Sequence, residues 1–274
     1  MVTIIIPIYN EEKNLLEKIG QFRNLSKSAE LIFVDGKSSD NSCSIAVAYG
    51  KILPMELLEI PPMGCINLHA SLLPKYRGAA PINWAIINGE KETGVTTQKI
   101  ALKLDSGDIL LQEKTEISEN DTAGTLHNRL KIIGASLIVS TLSLLERKSI
   151  NPIPQDESMV TFAPLLKKED GLIDWNKSAA AILNLMRGTN PWPSSYTFLS
   201  GKLFKIWKAS LVNRSSDSKT GTITSNRETF LVQTGDNLLS LEEVQLEGHK
   251  RMSARDFLIG KSIPPSFDTT GKLY

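Results

Sequence analysis

Asn67, His69 and Ser71 alternate along the run Cys65-Ile-Asn-Leu-His-Ala-Ser71, and Asp105 stands 36 residues after His69 in Leu104-Asp-Ser-Gly-Asp108. Alternate side chains of an extended segment share a face, so an amide, an imidazole and a hydroxyl project together at a strand end. An amide N–H can donate to an oxygen that gains negative charge. An imidazole moves protons near neutral pH, and a carboxylate can orient and polarise it. That combination suits a reacting carbonyl, with Asn67 on the developing oxyanion, His69 on the proton transfers and Asp105 behind the imidazole. Ser71 has no base beside it in a triad order, so a loop-shaping role is the simpler assignment than a nucleophile. An Asn-x-His pair on a strand is more often a solvated edge or a hydrogen-bonded core pair. Here the flanking Ser71-Leu-Leu-Pro-Lys-Tyr-Arg-Gly-Ala-Ala-Pro81 shifts the balance, because two prolines, a glycine and two cations make a loop and not a core. Loops at strand ends are where sites sit.

Positioning these groups requires a strand over Cys65–Leu68 and a turn at Asp105 before a strand over Ile109–Glu113. Between them the pattern gives a helix over Ile82–Asn88 with Trp84 and Ile86 or Ile87 inward, a stop at Gly89, and a strand near Gly94–Ile100. Asp121 and Thr122 can cap a helix from Ala123 to Glu146 whose Leu126, Leu130, Ile133, Leu137 and Leu144 follow helical spacing. His127 on that helix is an exposed or packing residue. Upstream, Val2–Ile6, an amphipathic helix over Glu11–Phe22 and Leu31–Val34 make a βαβ unit, which could pair beside a short strand at Ile45–Tyr49. A short helix over Met55–Glu59 follows. Asn151-Pro-Ile-Pro-Gln-Asp-Glu157 has two prolines and no apolar periodicity, and reads as a linker. Beyond it come a helix near Ser178–Gly188 and short strands around Tyr196–Phe198, Leu203–Ala209, Gly221–Thr224, Thr229–Gln233 and Leu238–Leu246, the pattern of a small barrel.

Composition excludes several classes. The 274 residues can form two modest domains, and a net charge of +1 excludes a polybasic nucleic-acid binder or an acidic tail protein. From Lys167 onward 15 Lys and Arg stand against 11 Asp and Glu, so any RNA contact is expected in that part. Cys43 and Cys65 lack metal-ligand spacing and a disulfide framework, which fits a reducing cytoplasm. The histidines His69, His127 and His249 lie far apart, and no metal site is expected. Pro7 interrupts the apolar start and no basic segment precedes it, so neither a signal peptide nor a membrane span is expected there.

From Ala48-Tyr-Gly-Lys-Ile-Leu-Pro54 to the C-terminus, about four fifths of its length, the chain resembles the methionyl-tRNA formyltransferase family, and Asn67–Pro81 resembles that family's active-site signature. The resemblance implies Asn67, His69 and Asp105 as the catalytic residues and Ser71, Leu72, Leu73 and Pro74 as the folate-contacting loop. It also implies a partial Rossmann-like α/β domain with a mostly parallel sheet, followed by a small β-barrel of the oligonucleotide-binding kind. Asn190-Pro-Trp-Pro193 and Lys205-Ile-Trp-Lys-Ala209 look like that barrel's sequence. The expected division is a head over 1–43, an incomplete catalytic domain over 44–150, a linker over 151–166 and a tRNA-binding barrel over 167–274.

The head's Thr3-Ile-Ile-Ile-Pro-Ile-Tyr-Asn-Glu11 and Ile32-Phe-Val-Asp-Gly-Lys-Ser-Ser-Asp40 resemble instead the opening of a family 2 glycosyltransferase, with Asp35 and Asp40 at its nucleotide-contacting positions. A polar turn with Ser39 or Asp40 as a helix cap is the more ordinary reading of those residues. The expected activity is formyl transfer from 10-formyltetrahydrofolate to the amino group of initiator methionyl-tRNA, by a metal-free cytoplasmic monomer. The competitors are formylation of a nucleotide-linked amino sugar and a catalytically dead tRNA-binding fusion.

Overall fold

The computed structural model describes the strands Val2–Ile6 (β1), Glu30–Phe33 (β2) and Cys43–Val47 (β3) and residues 65–268 apart from 215, 227 and 260–262. The expected helices over 11–22 and 55–59 and the turn holding Asp35 and Asp40 lie outside the described residues. Two compact units divide the chain: the first takes in residues up to 81, 92–116 and 128–164, and the second takes in 82–91, 117–127 and 165 onward.

In the first unit β4 (Cys65–His69), β5 (Glu92–Lys99) and β6 (Ile109–Glu116) complete a six-stranded sheet of order β2-β1-β3-β4-β5-β6. β1 pairs with β3, and β3 runs parallel to β4 with Ala46 opposite Asn67. Sheet direction changes after β4, because β5 runs antiparallel both to β4 and to β6. The long helix spans Ala123–Glu146 (α2) as its periodicity predicts, with Thr122 Oγ1 accepting the Thr125 N–H at its start. By length and composition α2 is apolar enough to cross a membrane. One face of it, with Ile138, Leu142 and Leu145, packs on Ile66 and Leu110 of the sheet. At Gly134 a Cβ would lie 2.8 Å from Leu68 Cδ2, so a bare backbone brings helix and sheet together.

β5 departs from the apolar rule. Its Thr93, Thr96, Thr97 and Gln98 are all buried, and each of the last three is hydrogen-bonded, as burial of polar groups demands. Thr97 shares a 2.8 Å bond with Thr141 of α2, while Thr96 and Gln98 face the loops that carry the site.

The second unit is the expected small barrel. Its strands are β7 (Ser195–Leu199), β8 (Lys202–Val212), β9 (Ile223–Ser225), β10 (Phe230–Gln233), β11 (Leu238–Leu246) and the short β12 (Met252–Ser253), in the order β7-β8-β11-β10-β9 with β12 on β11. Ser200 and Gly201, both at positive φ, make the tight β7–β8 hairpin. Segment 265–268 joins the two sheet edges, because Phe198 bridges to Asp268 and Thr222 to Ser266. Between those bridges Phe267 enters the core, stacks on Trp175 at 5.2 Å and meets Phe204 and Phe230. Helix Ala179–Gly188 (α3) covers the barrel. Its first turn is capped by Ser178 and by Asp236, whose carboxyl the Ala179 N–H holds below the ordinary range. Helix Pro81–Ile87 (α1) begins one residue before its predicted start, and Asn83 of α1 donates to the Gly188 carbonyl at 2.8 Å.

Candidate active site

The site grows out of the C-terminal end of β4. His69 closes that strand and is 6% exposed. Its Nε2 lies 2.9 Å from the Tyr76 carbonyl oxygen, and since a carbonyl only accepts, Nε2 carries the proton. Nδ1 is left facing Asp105 Oδ2 at 3.7 Å, beyond hydrogen-bond range. Fixing the imidazole tautomer, expected of Asp105, therefore falls to a backbone carbonyl that no side-chain pattern announces. Tyr76 is itself at φ +61, a left-handed conformation that turns its carbonyl toward His69.

Asp105 acts as a hub. Its Oδ1 accepts from Asn67 Nδ2 at 3.2 Å and from Gln98 Nε2 at 3.1 Å, and its Oδ2 accepts from the Gly78 N–H at 2.9 Å. Asn67 and Gln98 are register partners across β4 and β5, so the sheet sets them side by side. One N–H of the Asn67 amide is spent on Asp105, which leaves the second for a reacting oxygen. Asp105 is also at positive φ, +47, in a turn whose Gly107 has no substitute: a Cβ there would overlap the Lys99 carbonyl.

Ser71–Pro74 is clamped by the polar strands. Thr96 Oγ1 accepts from the Leu73 N–H and donates to the Ser71 carbonyl, and Gln112 Nε2 donates to the Leu73 carbonyl at 2.8 Å. Ser71 is fully buried with its hydroxyl donating to the Lys75 carbonyl, in keeping with a shaping role, and Leu73 is buried. Leu72 and Pro74 keep partial exposure, so they are the members of the four with side-chain surface to offer a ligand.

The segment expected as a linker does more than connect. Residues 151–164 lie in the first unit, where Arg77 forms a parallel bridge with Phe162 and exchanges backbone hydrogen bonds with Thr161 and Ala163 at 2.9 and 2.7 Å. Thr161 Oγ1 also accepts the Tyr76 N–H. Gly78, at φ +125, lies so close that a Cβ would stand 2.5 Å from the Ala163 carbonyl. Arg77 is wholly buried, with Nε and Nη2 on Gln155 Oε1 and Nη2 on Glu157 Oε1. Hydrogen bonds from Arg77 and then Lys103 hold the Glu157 carboxyl down at about 2. Prolines and missing periodicity mark irregular backbone, and irregular backbone can line a site as well as cross solvent. Gln98, Gln155 and Arg77 were thus missed as site-builders. The one available signal was the basic loop holding Arg77.

Residues 10–142 match the formyl transferase family and residues 165–262 match its C-terminal domain. The first match reaches into the head. Among curated relatives, the methionyl-tRNA formyltransferase of Alkaliphilus oremlandii is 51% identical over 220 residues, which are 80% of this chain and 71% of the relative. That of Thermodesulfovibrio yellowstonii is 49% identical over 233 residues, 85% of this chain and 75% of the relative. Solved structures share the fold at lower identity. HypX from Aquifex aeolicus in complex with tetrahydrofolic acid superposes with a TM-score of 0.63 at 15% identity, over 94% of this chain and 46% of that one. An N-formyltransferase from Helicobacter canadensis, in complex with folinic acid and dTDP-3-aminofucose, gives 0.65 at 18% over 92% and 99%. With about half of the aligned residues identical over 80% of its length and 71% of such a relative, the chain belongs to the methionyl-tRNA formyltransferase family of formyl transferases.

Proposed function

We propose that this chain transfers the formyl group of 10-formyltetrahydrofolate to the amino group of methionine on initiator tRNA, in the cytoplasm and as a monomer. The observation that carries the reading is the convergence of Asn67 and His69 on one carboxylate, Asp105, whose side chain is 11% exposed, in a chain 51% identical over 220 residues to a methionyl-tRNA formyltransferase. Asn67 offers its free N–H to the formyl oxygen as the amine lone pair adds to the formyl carbon and the carbonyl π pair moves onto oxygen. His69 takes the amine proton on Nδ1, with Asp105 supplying negative charge 3.7 Å away while the ring is cationic. The same nitrogen returns that proton to the folate nitrogen as the carbon–nitrogen bond breaks, so no covalent enzyme intermediate is required. The partly exposed Leu72 and Pro74 suit contact with the folate ring system, and the clamped loop keeps them in place without further ordering cost.

The barrel is the tRNA-contacting part in this reading. Trp207 on β8 carries Lys205 over one side at 5.5 Å and the Arg251 guanidinium at 4.9 Å, an aromatic and cationic surface of the kind that stacks bases and meets phosphates. Exposed Lys202 and Lys250 extend the positive surface, while Lys208 and Arg251 are partly neutralised by Glu242 and Glu243. In the head, β1 lies beside β3 and β2 beside β1, a sheet-extending part with no sugar-transfer role in this reading.

Single-turnover formylation by the purified chain tests the reading, with methionyl-tRNA and a dTDP-linked amino sugar as rival acceptors. Formyl-methionyl-tRNA should form at a rate that His69→Ala lowers by about 100-fold to 10,000-fold. Transfer to the amino sugar alone, or tRNA binding with no rate above the His69→Ala control, would refute it.

A further inference from the structure

We propose that Gln155 is a positioning residue for Asp105, an inference that rests on the formyl-transfer reading for its kinetic consequence but not for its geometry. Gln155 alone turns inward between Asn151 and Met159. Its Nε2 serves three acceptors, the Asp105 carbonyl at 2.9 Å, the Gly107 carbonyl at 2.7 Å and Gln98 Oε1 at 3.2 Å. Its Oε1 takes two guanidinium bonds from buried Arg77 at 3.0 and 2.8 Å. Carbonyls on one side and a guanidinium on the other leave the amide a single orientation.

Gln155 therefore reaches Asp105 by two routes. It holds the backbone of a residue at φ +47, a conformation that surrounding structure must impose on a non-glycine residue. Through Gln98 it also orients the amide that donates to Asp105 Oδ1. Arg77 anchors Gln155 from the loop whose neighbouring residue, Gly78, donates to Asp105 Oδ2. Remove the Gln155 N–H groups and the carboxylate loses the framework that sets it between Asn67 and His69.

Gln155→Glu keeps the acceptor for Arg77 and deletes the donors, and Gln155→Met is a second variant should the first not fold. Each is made in the natural chain and in Asp105→Asn. In the natural background kcat should fall about 10-fold to 100-fold, with KM for both substrates within about threefold. In the Asp105→Asn background the further loss should stay under about threefold, because the effect passes through the carboxylate. Equal losses in both backgrounds overturn the proposal. An activity-free arm follows the Gly78 amide by NMR: in a folded variant it should move upfield and exchange about tenfold faster or more. An unchanged Gly78 amide overturns the proposal even if the natural chain formylates nothing, whereas an inactive natural chain with a displaced Gly78 amide counts against the formyl-transfer reading and supports this one.

Discussion

The Asp105 carboxylate accepts from two side-chain amides on one oxygen and from a backbone N–H on the other, with Nδ1 of His69 3.7 Å away. An asparagine there matches the shape and fails the chemistry, since either orientation of its amide sets an N–H against another donor. Asp105→Asn should lower kcat by about 100-fold or more, while the thermal midpoint moves by a few degrees at most. A drop in the midpoint that accounts for the lost activity would refute this. Asn67→Ala, by contrast, removes one oxyanion donor and should cost about 100-fold to 1,000-fold in kcat with little change in the KM for methionyl-tRNA. All three groups could be read from residue type and spacing, because alternation on a strand already places Asn67 and His69 on one face. The Tyr76 carbonyl and the Gly78 N–H could not, since every residue carries those groups and only the fold aims them.

At the scale of elements, the site depends on irregular segments held by a polar strand. β5 buries threonines and a glutamine because both neighbouring loops use them as partners, so its alternation reads as half-exposed although almost all of it is covered. The helix α2 followed periodicity to the residue, whereas the role of 151–164 was hidden because loop composition does not say what a loop lies against. Gly78→Ala combines an unfavourable φ with a contact on the Ala163 carbonyl, and should destabilise the first unit by about 2 to 4 kcal/mol in urea unfolding.

Glu157 gives the same junction a pH signature. Its folded value is depressed, so it stabilises the fold above the ordinary carboxylate range and loses that effect as pH falls toward about 2. Its side chain is 58% exposed, so solvent screens the pair and the effect is small. Between about pH 4.5 and 2, Glu157→Gln should show a shallower loss of stability than the natural chain in acid unfolding. Parallel curves would exclude the ion pair as a contributor.

Across the whole molecule, charge and chemistry are divided. Residues from Lys167 on carry 15 basic against 11 acidic side chains, while the proposed catalytic trio lies upstream of them. Phosphate contacts release counterions, so added salt should raise the KM for methionyl-tRNA steeply and leave the KM for the folate donor nearly constant. Equal salt sensitivity of the two would remove the barrel from the tRNA interface. The pairing of Arg77 with Phe162 and of Tyr76 with Thr161 joins residues more than 80 positions apart. During synthesis, a nascent chain that has emerged only to residue 150 already contains the proposed catalytic side chains and lacks Gln155, Thr161 and Ala163, which hold the loops of Tyr76–Gly78 and Asp105. Roughly another dozen residues must emerge before those partners are present, so formyl transfer is expected only once the first unit is nearly complete.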